Sequence, residues 1–223
     1  MQKPLWVKID NFITREPAHK TLILACGALA KEILSLLKQF DQSAELKCLP
    51  AEFHNHPEKI VPGLKAILDQ RATEFDRVLI GYGDCGTGGG LDRLLKNYPN
   101  ALRLPGAHCY AFYSGLNRFE NLMEAELGTF FLTDYLARHF KTLIIKGMAI
   151  DSYPNLKTTY FEHYKKLTYL AQVEDPKLKA KAQEAAQELG LSFEYRFVGY
   201  GNLVTAISFL QAPPDEEKRL GHV

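Results

Sequence analysis

Short apolar runs alternate with helix-patterned stretches from residue 20 almost to the end of the chain, and that alternation restricts the fold more than any other feature. TLILACG (21–27) reads as a buried strand. ALAKEILSLLKQF follows as a helix with Ile33, Leu34, Leu36 and Leu37 on its apolar side. ELKCLPA is a second strand ended by Pro50. HPEKIVPGLKAILDQRATEF has helical spacing at Leu64, Ile67 and Leu68, with Pro62 marking a restart. RVLIGYGDC is a third strand and GLDRLLKNY the helix after it. ALRLPGAHCYAFYSG gives a short strand, a turn at Pro105-Gly106 and a second short strand.

The section from Asn117 to His163 reads as mostly helical and aromatic. GTFFLTDYLARHF (128–140) is expected to be a helix and KTLIIKGM a further strand. LTYLAQ is a strand. The helix DPKLKAKAQEAAQELG follows, with Asp175 as N-cap, Pro176 at its first position, a stripe of Leu178, Ala182, Ala185 and Leu189, and Gly190 closing it. FEYRFVG and the amphipathic NLVTAISFLQ end the pattern. Strands spaced by helices in this way predict an α/β fold: an open, mostly parallel, doubly wound (Rossmann-like) sheet with helices on both faces. The expected organisation is one α/β domain over residues 1–212, with 213–223 as a flexible tail.

The bulk numbers exclude several function classes. A formal net charge of +1 over 223 residues leaves no electrostatic footprint for nucleic acid and no polybasic membrane patch. The start, MQKPLWVKID, lacks a signal peptide's apolar core, and no apolar run is long enough to span a bilayer. The expectation is a cytoplasmic protein acting on a small molecule. In a reducing compartment its four cysteines are free, ligating or reactive rather than disulfide-bonded.

Three of those cysteines fall at strand ends. Cys26 closes the first strand, Cys85 the third, and Cys109 follows the fourth apolar segment. Ligands of open parallel sheets bind outside the carboxyl ends of the strands, where strand order switches. If the first and third strands are neighbours, Cys26 and Cys85 meet there and Cys109 reaches the same crevice. Cys48 lies inside a strand and reads as a buried small hydrophobe. His54 and His56 sit just past the second strand, and His108 is next to Cys109. Three thiolates suit zinc, with a histidine or water as fourth ligand, or an iron–sulfur cluster with one iron open. Without a metal, Cys85 would be a nucleophile, with His108 as base and Cys109 as resolving thiol.

The glycines of GYGDCGTGGGLD allow a second role. Gly86, Thr87, Gly88 and Gly89 could offer backbone N–H groups to an anion. The loop lacks the GK[ST] ending of a phosphate loop and follows the third strand, where a dinucleotide fingerprint does not belong. Asp84 and Asp92 could act as acid or base, though Asp92 sits where a helix's first turn favours any carboxylate. Thr129, Asp134, Arg138 and Tyr200 are less specific candidates. The aromatic run YFEHYKKLTYL reads as core.

Taken together, CGALAKEI, LPAEFHNHPEKI, GYGDCGTGGGLD, RLPGAHCYAFYSG, GTFFLTDYLARHF and YLAQVEDPKL resemble the uncharacterised family known as domain of unknown function 1638, from about Leu22 to Leu203. The family pattern maps onto Cys26, His54, Cys85, His108 and Cys109, with Phe53 where a leucine is usual. Cys48 and His56 fall outside it. The resemblance implies no reaction. It implies a link to one-carbon or corrinoid-dependent methyl metabolism, because members look to be encoded near corrinoid methyltransferases for methylated amines. Corrinoid methyltransferase components are therefore expected partners, and an accessory protein binding a corrinoid, with His54 as a cobalt ligand, is the alternative to an enzyme. A fold alone decides none of these.

Overall fold

The computed structural model describes residues 5–7, 19–125, 127–208 and 210. The chain divides into two compact units, residues 1–112 with 202–223, and residues 113–201. The expected tail, residues 213–223, lies outside the described residues.

The first unit is built from β1 (Leu5–Val7), β2 (Thr21–Cys26), α1 (Ala30–Gln39), β3 (Glu45–Leu49), α2 (Ile60–Arg71), β4 (Arg77–Gly81), α3 (Gly90–Leu95), β5 (Ala101–Arg103) and the start of α4 (Cys109–Ser114). Its sheet runs β1-β3-β2-β4-β5, with β1 antiparallel to β3 and every other pair parallel. Nothing in MQKPLWVKID signals β1, because three residues are too few to show a period. Central β2 is buried on both faces: Leu22, Ile23, Leu24 and Ala25 are fully inaccessible. That explains its unbroken apolar run, since only helix-covered parallel strands have two dry faces.

Register assigns the faces. Leu22 and Leu24 pair laterally with Val78 and Ile80, and all four pack with Ile60, Leu64, Leu68, Leu91 and Leu94 of α2 and α3. Ala25 and Gly81 turn to the other side, where a side chain at Gly81 would meet the Ala25 methyl at 2.7 Å and Ile33 of α1 at 3.7 Å. Pro62 does not restart a helix. It sits in the first turn of α2, where its missing N–H costs nothing.

The second unit contains α5 (Leu116–Ala125), β6 (Thr129–Leu132), α6 (Asp134–Arg138), α7 (Asn155–Phe161), β7 (Lys166–Ala171), α8 (Pro176–Leu189) and β8 (Ser192–Phe197). Its sheet is β6-β7-β8, parallel throughout. The chain returns to the first unit with α9 (Asn202–Ser208), which packs on α1. The α/β class with parallel strands and surrounding helices holds, with the strands shared between two sheets.

Three local expectations differ. GTFFLTDYLARHF begins as β6 and becomes helical only at Asp134, after Thr133 caps it by accepting from the Leu136 N–H. KTLIIK is a π-helical turn, Lys141–Lys146, and not a strand. Its Leu143, Ile144 and Ile145 are all buried, and a short apolar run of that kind does not separate strand from helix. The expected second strand after Pro105-Gly106 is α4. By contrast α8 forms as read, with Asp175 accepting from the Lys177 and Leu178 N–H groups and Gly190 left-handed at its end.

Candidate thiol site at the switch of the first sheet

Strand order in the first sheet reverses between β2 and β4: from β2 the chain moves outward to β3, then returns to β4 on the opposite side and continues to β5. Cys26 is the last residue of β2. Cys85 lies four residues past β4, and Cys109 opens α4 after β5. The thiols are near enough to affect one another: Cys26 raises the cost of ionising Cys85, and both raise that of Cys109.

The loops that carry them are tied by backbone. Asp84 N–H donates to the Gly106 carbonyl at 2.9 Å and Cys85 N–H to the Ala107 carbonyl at 2.7 Å. This short ladder continues the β4–β5 pairing and draws Cys85 beside His108 and Cys109. It passes through Gly83, where a Cβ would lie 2.7 Å from the Gly106 oxygen and 3.2 Å from the His108 nitrogen. Only glycine permits that approach.

Cys85 itself has φ +48°, a left-handed conformation unusual for a residue with a side chain, followed by Gly86 at +80°. Such a conformation costs about 1–2 kcal/mol without a glycine. The loop is braced by Asp84, whose carboxylate accepts from the Gly89 N–H (2.7 Å), the Thr87 hydroxyl (2.9 Å) and the Gly88 N–H (3.0 Å). These donors hold the Asp84 pKa below its usual value against the opposing effect of burial. Of the loop donors expected to serve an external anion, those of Gly88 and Gly89 thus serve Asp84, and Asp84 acts here as a brace. Asp92 lies in the first turn of α3 and pairs with Arg103 through two bonds of 2.6 and 2.9 Å.

Around the thiols the electrostatics are one-sided. Burial, reinforced by Cys26, pushes the Cys85 thiol up to about 12. Burial also raises Cys26, with Glu52 adding to it, and raises Cys109 well above the usual thiol range. Each of the three residues keeps part of its surface exposed. The guanidinium of Arg103 is coupled to Cys85, but it is already paired with Asp92.

Both histidines stand at the rim with exposed surface. His54 belongs to a 3-10 turn, Ala51–Asn55, just past β3. Crowding, and then the His108 imidazole, push its pKa down. Water at its exposed side screens part of that push, but the coupling places the two rings near one another. His56 turns away to Glu58 at 3.3 Å. Cys48 shares a face with Ala25, while Cys26 shares one with Leu49, so side chains at 48 and 26 leave opposite faces of the sheet. Cys48 is 5% exposed, a core residue as expected. Among the described residues, no three His, Cys, Asp or Glu side chains stand close enough together to hold a metal ion as they are.

One neighbour escaped the sequence reading. The lateral register Leu24↔Ile80, Ala25↔Gly81, carried one residue further, sets Tyr82 beside Cys26 on the same face. Tyr82 is 3% exposed. Its hydroxyl is near enough to Cys26 to favour the thiolate yet completes no hydrogen bond. The signal was present in GYGDC, where period 2 from Ile80 points Tyr82 inward.

The less specific candidates lie in the second unit. Asp134, 2% exposed, accepts from the Tyr169 hydroxyl (2.7 Å), the Gln172 N–H (3.0 Å) and the Val173 N–H (3.1 Å). It locks α6 to the end of β7. Thr129 starts β6, Arg138 ends α6, and Tyr200 lies in the turn after β8. Phe161 and Tyr164 from the aromatic run meet Phe130 edge to face at 5.2 and 5.7 Å, a core arrangement.

The family profile of a protein of unknown function, DUF1638, matches residues 48–207. The chain belongs to that family. The matched stretch includes His54, Cys85, His108 and Cys109, and Cys26 precedes it. No curated protein matches the chain. Among the described residues, no helix is long and apolar enough to cross a membrane.

Proposed function

We propose that the chain is a metalloprotein whose Cys26, Cys85 and Cys109 hold a soft metal ion or an iron–sulfur cluster at the switch of the first sheet, with His54 or His108 as a fourth ligand or proton carrier. The observation that carries this reading is the convergence of three mutually coupled thiols at or just past the ends of three adjacent parallel strands. Such thiols stay protonated and unreactive alone, and ionise together around a metal, which displaces their protons and cancels their mutual repulsion. Three sulfur ligands leave a position for a substrate, which suits an enzyme. Side chains at the three positions would have to close on the ion, since they do not form a finished cage. A link to one-carbon chemistry belongs to the same proposal and rests on the family resemblance alone.

The metal-free alternative is weaker. A nucleophilic Cys85 needs a thiolate, and a thiol pushed up to about 12 is ionised in roughly one molecule in 100,000 at pH 7.

Protein purified without oxygen, then analysed for iron, zinc, cobalt and acid-labile sulfide, tests the proposal. Stoichiometric metal is expected, lost on replacing Cys26, Cys85 or Cys109 by serine and kept in Cys48→Ser. Metal-free protein that takes up neither zinc nor an iron–sulfur cluster on reconstitution would overturn it. A corrinoid in place of protein-ligated metal would move the reading to an accessory role with His54 on cobalt.

A further inference from the structure

β8 (Ser192–Phe197) is the outer strand of the second unit's sheet, and among the described residues no strand pairs with its far side. Ser192 and Phe197 are exposed and the four residues between them half-buried, Phe197 being 53% exposed. The opposite edge differs, since Phe131 and Leu132 of β6 are 6% and 0% exposed. The ladder to β7 decides which backbone groups of β8 are left over. Ser192 N–H donates to the Lys165 carbonyl at 3.1 Å and Val198 N–H to the Ala171 carbonyl at 2.9 Å, so the even-numbered residues point to β7. The N–H and C=O groups of Phe193, Tyr195 and Phe197 point away from it. An edge of that kind is a template for another strand.

The side chains say which strand fits. FEYRF (193–197) reads the same in both directions in its aromatics and with opposite sign in its charges. Phe193, Tyr195 and Phe197 lie on one face of the sheet, Glu194 and Arg196 on the other. We propose that β8 is a self-association edge at which two copies of this chain pair antiparallel about Tyr195. Tyr195 then meets its own counterpart, each Phe193 meets the other copy's Phe197, and each Glu194 meets the other copy's Arg196. The three aromatic residues brought opposite one another are those whose backbone groups point outward, so each pair exchanges both of its hydrogen bonds. Within one chain Glu194 already accepts from Arg196 at 2.6 Å and pairs with Lys166 at 2.6 Å. The second copy extends that pair into a cluster of alternating charges. A parallel pairing in the same register would set like charge against like, so the charges select the antiparallel one. Both copies use the same strand, and the contact closes at two. The inference is independent of the proposed thiol site, whose residues lie in the first unit.

A contact one strand long is small, and small interfaces are weak. Sedimentation velocity of the full chain over about 1 μM to 1 mM, the range in which weak complexes form, tests the proposal. Wild type is expected to pass from one chain to two as concentration rises. Arg196→Glu and Glu194→Arg each set like charges across the twofold, so each variant alone stays a single chain. Mixed in equal amounts, the two variants are complementary to each other and the dimer returns. A strand merely damaged by substitution is not rescued in that way. Association of wild type, its loss in each variant and its recovery in the mixture support the proposal. Wild type that stays a single chain throughout would overturn it and leave the edge to an extended segment of this chain or of another protein. Dimers that persist in both variants would place the contact elsewhere, and a mixture that stays monomeric would assign the loss to a damaged strand. Either result overturns the proposal.

Discussion

Cys85 is held at φ +48° between a strand and a glycine-rich turn, in a conformation that a glycine would adopt freely. A residue kept in that conformation despite its side chain indicates that the side chain matters there. Two substitutions separate sulfur from strain. Cys85→Ala and Cys85→Gly both remove the thiol, but only the second relieves the backbone. Relief of about 1–2 kcal/mol outweighs the extra freedom that glycine gives the unfolded chain, about 0.4–1 kcal/mol. Metal-free Cys85→Gly should therefore be more stable than Cys85→Ala by about 1 kcal/mol, read as a higher urea midpoint at equal slope. An alanine variant as stable as the glycine variant would show that the loop is not strained. Asp84 belongs to the same scale. Its carboxylate takes three donors of its own loop, as an anion at a nest of N–H groups does. The turn from Cys85 to Gly89, with positive φ at Cys85, Gly86, Gly88 and Gly89, is thereby braced by a side chain of its own loop.

At the scale of elements, the site depends on two loops being drawn together by the bonds from Asp84 and Cys85 to Gly106 and Ala107. Gly83 is the point of closest approach. Gly83→Ala would force its methyl to within 2.7 Å of the Gly106 oxygen, and backbone cannot rotate away as a side chain can. The expected cost is about 1–3 kcal/mol, with metal content lost together with the Cys85–Cys109 juxtaposition. Unchanged denaturation midpoint and metal content would mean that this ladder does not position the thiols.

The sequence showed β2 and β4 clearly because buried parallel strands are continuous apolar runs, β3 through Leu46, Cys48 and Leu49 before Pro50, and α8 because Asp175, Pro176 and Gly190 mark both of its ends. It misled at GTFFLTDYLARHF, where aromatic residues fit a helical stripe as well as a strand and only the Thr133 cap marks the change. It misled again at KTLIIK, where three consecutive buried apolar residues carry no period. The cysteines could be assigned to strand ends from the sequence. That β2 and β4 are neighbours could not, because pairing between parallel strands depends on the path of the crossovers and leaves no local signature. Tyr82 was missed for a related reason: period 2 from Ile80 turns it inward, but its place beside Cys26 follows only from the β2–β4 pairing.

Across the whole molecule, every residue of the candidate thiol site belongs to the first unit, from Cys26 to Cys109. The second unit has its own parallel sheet and its own buried polar hub at Asp134. The family match, residues 48–207, spans parts of both units and takes in Cys85 and Cys109 but not Cys26. The central claim is that the three thiols jointly hold a metal. X-ray absorption at the edge of the metal in anaerobically purified protein tests it most directly. For a single bound metal ion the account predicts three sulfur neighbours, at about 2.3 Å if the metal is zinc, with the metal lost when any one of Cys26, Cys85 or Cys109 is replaced by serine. A metal ringed by nitrogen and oxygen alone, or a sulfur count untouched by those replacements, would contradict it.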